Sequence, residues 1–112
     1  MNLLLVVVED EEKVEDFLSV LVELDVDGVQ VIESSTVMAV LSRQAPIFAG
    51  LRELINRPKA ESKLLIGLAQ TDDVLGRLAD LLRRVGLDLD EPGVGYAATV
   101  PVSGVIGQLG GD

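Results

Sequence analysis

Apolar positions along the chain fall into runs whose spacing changes. Residues 3–8, Leu-Leu-Leu-Val-Val-Val, form an unbroken apolar run closed by Glu9-Asp10. Such a run, β-branched at its end and stopped by charge, predicts a short buried strand. From about 10 to 24 the period lengthens: Val14, Phe17, Leu18, Leu21 and Val22 recur at the spacing of one helix face. Asp10 stands at the N-cap position, and Glu11 and Glu12 suit the positive end of the helix dipole. Asp27-Gly28 then marks a turn, and Val29 to Glu33 predicts a second strand.

Residues 34–61 follow no single period. Val37 to Leu41 fits a helical turn, Pro46 interrupts, and Leu51, Leu54 and Ile55 suggest another turn before Pro58. Residues 63–69, Lys-Leu-Leu-Ile-Gly-Leu-Ala, read as a third strand. Thr71 or Asp72 caps a second helix reaching about Val85, with Leu75, Leu78, Leu82 and Val85 inward and Gly86 at its stop. Gly93 to Val102 gives a fourth strand, and residues 103–112, with Gly104, Gly107, Gly110 and Gly111, make a Gly-rich tail. The order is β-α-β, a long inserted loop at 34–61, then β-α-β. That is the split arrangement of an α+β, ferredoxin-like sandwich: a four-stranded antiparallel sheet with both helices on one face, in one domain over 1–112.

Two helices cover one face of such a sheet, so its strands should alternate apolar and polar. The first strand does not: Leu3, Leu5 and Val7 point one way and Leu4, Val6 and Val8 the other. The third strand repeats this, with Leu65 and Ala69 opposing Leu64, Ile66 and Leu68. A second apolar face needs a cover, and another copy of the chain is the simplest one. The insertion or the tail folding over it is the alternative.

Composition narrows the chemistry. The 112 residues contain no Cys and no His, which excludes disulfides, thiolate nucleophiles, imidazole bases and ordinary zinc sites. A net charge of −10 argues against nucleic acid as a partner. Residues 3–8 are too few to span a bilayer and carry no signal-peptide features, so a cytoplasmic protein without a membrane span is expected. The charge is uneven: residues 1–33 hold ten acids and one base, a net −9, whereas 43–63 hold five bases and two acids, a net +3. The insertion is a basic feature on an acidic body, suited to an anionic ligand or an acidic partner surface, or to charge pairing that orders it.

The serines have neither a His nor a convincing Lys partner, so no catalytic residue is assigned. The acids of the first helix lie on its polar side. Glu9, Asp10, Glu11 and Glu12 match no calcium loop, and no metal site is assigned. Ser34 and Ser35 leave the second strand, where their hydroxyls can meet a ligand at the base of the loop. They, with Thr36, can equally cap the helical turn that follows. Gly93-Val94-Gly95 leads into a strand with no following Lys, so it is no dinucleotide fingerprint; it suits a bend that admits close backbone approach between subunits.

Several stretches together resemble the PII-type nitrogen-regulatory signalling proteins. They are Leu3–Val8 with its following helix, Leu24-Asp25-Val26-Asp27-Gly28-Val29-Gln30-Val31-Ile32-Glu33-Ser34, Pro46-Ile47-Phe48-Ala49-Gly50-Leu51-Arg52, and Pro92-Gly93-Val94-Gly95-Tyr96-Ala97-Ala98-Thr99-Val100-Pro101-Val102. The resemblance, to a divergent PII-like branch, implies a homotrimer with a long loop after the second strand. It also implies a regulatory rather than enzymatic role and a small ligand in the clefts between subunits. Gly28, Ser34, Ser35, Gly93 and Gly95 are then the candidate cleft residues. Arg43, Arg52, Arg57 and Lys59 are the candidate partner-binding residues of the loop. An adenine nucleotide is the ligand the resemblance implies, but the Lys- and Gly-rich phosphate loop of typical members is replaced here by Leu87-Asp88-Leu89-Asp90-Glu91-Pro92-Gly93-Val94-Gly95. The only Tyr is Tyr96, in the fourth strand rather than the loop. The remaining alternatives are a small ferredoxin-like enzyme using carboxylates and a structural subunit of a larger assembly.

Overall fold

The computed structural model describes residues 1–44 and 62–109. Strand β1 spans Asn2–Val8, and a 3-10 turn at Glu11–Lys13 leads into helix α1, Val14–Glu23. Strand β2 is Asp27–Ser34 and helix α2 is Val37–Gln44. Strand β3 follows at Ser62–Ala69, helix α3 at Val74–Arg84 and strand β4 at Gly95–Pro101. The strands form one sheet in the order β2-β3-β1-β4, every neighbouring pair antiparallel. This is the ferredoxin-like α+β arrangement expected from the sequence.

The core lies between the sheet and helices α1 and α3. Leu4, Val6 and Val8 of β1 and Leu65 and Ala69 of β3 meet Phe17, Val20 and Leu21 of α1 and Val74, Leu78 and Leu82 of α3. Both helices are rotated from the expected phase. Val20, not Val22, faces inward on α1, and Val22 is 74 % exposed. On α3 the buried row is Val74, Leu78 and Leu82, at strict four-residue spacing, while Leu75 and Val85 are exposed.

The helix ends explain that phase. In α1 the Val26 N–H donates to Leu21 O (3.2 Å) and the Asp25 N–H to Val22 O (3.1 Å). In α3 the Leu87 N–H donates to Leu82 O (2.9 Å) and the Gly86 N–H to Arg83 O (3.0 Å). Both are the paired bonds of the Schellman cap, which satisfies carbonyls the helix leaves orphaned. Val26 and Leu87, the residues just past each cap, are buried in the core. Each cap therefore anchors its helix by an apolar contact and fixes which face turns inward.

Element bounds differ modestly from expectation. The turn before β2 falls at Leu24-Asp25, so that β2 already begins at Asp27 and Gly28 lies inside it, at an irregularity in its pairing with β3. The helical turn expected at 37–41 is the longer α2, capped by Thr36, whose Oγ1 accepts from the Ala39 N–H at 3.1 Å. The α3 cap expected at Thr71 or Asp72 falls at Asp73, and β4 is two residues shorter at its start. The turn expected around Leu51 to Ile55, between Pro46 and Pro58, lies outside the described residues.

The second apolar face is present. Register sets Leu3 beside Leu68 and Val100, Leu5 beside Ile66 and Ala98, and Val7 beside Leu64 and Tyr96. Paired residues project to the same side, so these nine form a continuous apolar surface opposite α1 and α3. Leu3, Leu5, Val7, Leu64, Ile66 and Leu68 are half-buried; Tyr96 (59 %), Val100 (46 %) and Ala98 are exposed. Ile32 of β2, beside Leu64, extends the surface and is also exposed.

Candidate functional site

Antiparallel pairing gives the sheet two unlike ends. One gathers Ser34, Ser62, Lys63, Val8 and Gly95, since Ser34 pairs with Ser62 and Val8 with both Lys63 and Gly95. The insertion leaves and returns here. The other end gathers Asp27, Ala69, Asn2 and Pro101, where the chain continues into the tail.

At the insertion end the two strands are tied twice. Ser34 and Ser62 share a hydrogen bond of 2.7 Å between their hydroxyl oxygens, and Ser62 is only 5 % exposed. Lys63 Nζ bonds the Glu33 carboxylate across the same strand pair and lies 3.8 Å from Glu11 Oε1. Asp10 accepts from the Glu12 N–H at 3.1 Å, starting the 3-10 turn that holds Glu11 in this cluster. Lys63 is therefore engaged by body acids. Without it, residues 43–61 keep four bases and two acids, a surplus of two. Charge pairing of this basic segment was among the sequence expectations, without its partners; the hydroxyl pair was not. Glu33 and Lys63 stand opposite one another because of the register in which β2 and β3 pair.

The candidate cleft residues do not converge within one chain. Ser34 and Gly95 share the insertion end but sit on opposite edge strands, three strand spacings or about 14 Å apart. Gly28 lies at the tail end of β2, six residues or about 20 Å from Ser34. Ser34 is half-buried and engaged by Ser62, whereas Ser35 is exposed. Gly93 is exposed, with φ +85°, in the turn before β4. Gly95 has φ +146°, and a Cβ built on it would lie 2.1 Å from Val7 O. The close approach this glycine admits is to β1 of its own chain. Of the loop cations, Arg43 falls in α2; Arg52, Arg57 and Lys59 lie outside the described residues.

The acidic turn 88–91 is built for itself. Asp88 accepts from the Asp90 N–H through Oδ1 (2.9 Å), and its carbonyl accepts from the Glu91 N–H (3.0 Å). Two backbone donors that could have cradled a phosphate are thus occupied, and Asp90 and Glu91 stand exposed beside them. These residues do not fit the phosphates of an adenine nucleotide.

Among the described residues every Asp and Glu is exposed or half-buried, so no buried carboxylate is present to carry acid-base chemistry. No group of three or more acids among them is arranged to hold a metal ion, and no described helix is long and apolar enough to cross a membrane. The largest feature left is the apolar sheet face. No family model and no curated protein matches the chain.

Proposed function

We propose that the chain is a non-enzymatic, PII-like signalling regulator that works as a homotrimer. Its basic insertion, 34–61, engages an acidic partner surface, and a small ligand in the clefts between copies acts as the gate. The observation that carries this reading is the apolar sheet face centred on Leu5 and Ile66, whose one charged strand residue, Asp27, stands at its tail-end edge. Full burial of a Leu, Ile or Val side chain contributes about 1.5–3 kcal/mol, and half-buried ones proportionately less. A face with eight Leu, Ile or Val positions, joined by Tyr96 and Ala98, is costly to leave in water.

The cleft reading gains from the scatter of the candidate residues. Ser34 and Gly95 lie on opposite edge strands of one chain, and edge strands are the parts of a sheet that meet a neighbouring copy. Residues too far apart to form a pocket within one subunit can converge between two. The basic surplus of residues 43–61 suits a partner surface of opposite sign.

Light scattering on the purified chain is the direct test. The expected particle is three times the 11.9 kDa subunit. A monomer at micromolar concentration sinks the proposal, because the apolar face would then be stable without a neighbour.

A further inference from the structure

We infer that the segment after β4 is an intersubunit knob: Val105 and Ile106 of one copy seat on the apolar sheet face of a second. This inference rests on the self-association proposed above and adds which residues of the second copy cover the face.

The segment is hydrogen-bonded at its start and touches β2 at its far end, where Leu109 stays 44 % exposed. The Val102 N–H donates to Met1 O at 3.1 Å, prolonging the β4–β1 pairing by one bond. Leu109 Cδ2 lies 3.6 Å from the point a Cβ on Gly28 would occupy, which sets it against β2. The two anchors stand on opposite edges of the sheet, so residues 103–108 cross its tail end as a strap. Between them every residue is exposed, and Ile106, at 101 %, is as open to water as an Ile can be. Val105 beside it is half exposed. A strap hydrogen-bonded at Val102 and lying against β2 at Leu109 directs this pair toward the tail end of the sheet.

Charge selects the occupant. Two copies carrying −10 each repel wherever their acids meet. Two described surfaces are nearly free of charge: the sheet face, whose paired strand positions include one charged residue, Asp27 beside Leu68 at the tail end, and the chain from Tyr96 through Leu109, which contains no Asp, Glu, Lys or Arg. They adjoin, since Tyr96, Ala98 and Val100 belong to both. Contact between copies through these surfaces buries apolar groups and keeps the acids of α1 apart. The pairing is of knob with face, because Val105 and Ile106 alone are too small to make a stable contact with their own equivalents.

The test uses the absence of cysteine. Ile106→Cys protein is mixed with Tyr96→Cys, Val100→Cys or Ile32→Cys protein under mild oxidation. A disulfide joining the 106 variant to at least one face variant, in excess of either self-linked product, is expected. Only 106-to-106 links, or none, overturns the inference. In parallel, Ile106→Asp should raise the concentration at which the assembly half-dissociates about tenfold or more, the loss of one buried Ile. Val22→Asp, the same change at an exposed apolar site on α1, should leave it unchanged, and circular dichroism should show both variants folded. A wild-type trimer that Ile106→Asp does not weaken overturns the knob alone; a wild-type monomer overturns the trimer as well.

Discussion

Asp25 and Gly86 occupy the same position in two copies of one helix cap. Each is the residue just past its helix, each donates its N–H three residues back, and each has positive φ, +57° for Asp25 and +85° for Gly86. Only glycine takes that conformation without steric cost. Asp25→Gly should therefore stabilise the fold by about 1 kcal/mol, and Gly86→Asp should destabilise it by a similar amount. Urea unfolding of the two variants checks both signs. A loss of stability in Asp25→Gly would mean the carboxylate makes a contribution the cap geometry does not include.

Gly95→Ala carries a different cost. Its backbone conformation is one L side chains rarely adopt, and the added methyl would collide with Val7 O. Strain of about 1–3 kcal/mol from the backbone alone is expected, with the collision added unless β4 shifts on β1. Denaturant unfolding reads the loss, and amide exchange at β4 distinguishes local fraying from global destabilisation.

Core truncation tests the helix phase. Phe17→Ala should cost about 3–5 kcal/mol. Val22→Ala, at a position the apolar pattern ranks alongside Phe17, should lie within about 0.5 kcal/mol of wild type. Similar losses from both would mean that α1 is rotated from the orientation described.

The hydroxyl pair at the neck of the insertion should be measurable by a double-mutant cycle. Ser34→Ala and Ser62→Ala each leave one hydroxyl without its partner, while the double variant removes both. A coupling energy of about 0.5–1.5 kcal/mol is expected. A coupling near zero would mean water replaces the bond without loss.

Nucleotide binding is the most informative negative. With the Asp90 and Glu91 amides already engaged and two carboxylates exposed beside them, ATP at about 1 mM should not raise Tm, whereas binding at a Kd of about 10 µM would add about 2.7 kcal/mol. ADP, AMP, cyclic nucleotides and bicarbonate belong in the same thermal-shift screen. A clear rise with ATP would require a phosphate site away from residues 88–91.

The strands were the most readable elements. β1 and β3 are continuous apolar runs, and strand period 2 leaves no ambiguity about which residues share a face. The helices were readable in existence but not in rotation. From Val14 to Leu24 seven positions are apolar, and two overlapping stripes fit them. The choice is made by Val26, outside the helix, which the cap folds back into the core. Likewise Leu87, beyond Gly86, selects Val74 over Leu75. The site was less readable for another reason: Ser34, Gly95 and Gly28 were grouped by type and by nearness to turns, while their separation depends on strand order. That order, β2-β3-β1-β4, is a property of long-range pairing that no local window contains.

The separation of the two sheet ends has a practical consequence for any ring built from this chain. Rotation about a single axis carries each subunit's insertion end onto the next insertion end and each tail end onto the next tail end. Copies would thus present two distinct circles of sites, about 20 Å apart along β2. One circle holds the Ser34–Ser62 necks and the other the Leu109 anchors. A probe attached near the necks would report on partner engagement, and one attached beyond Leu109 on assembly, so the two events can be followed separately in the same particle.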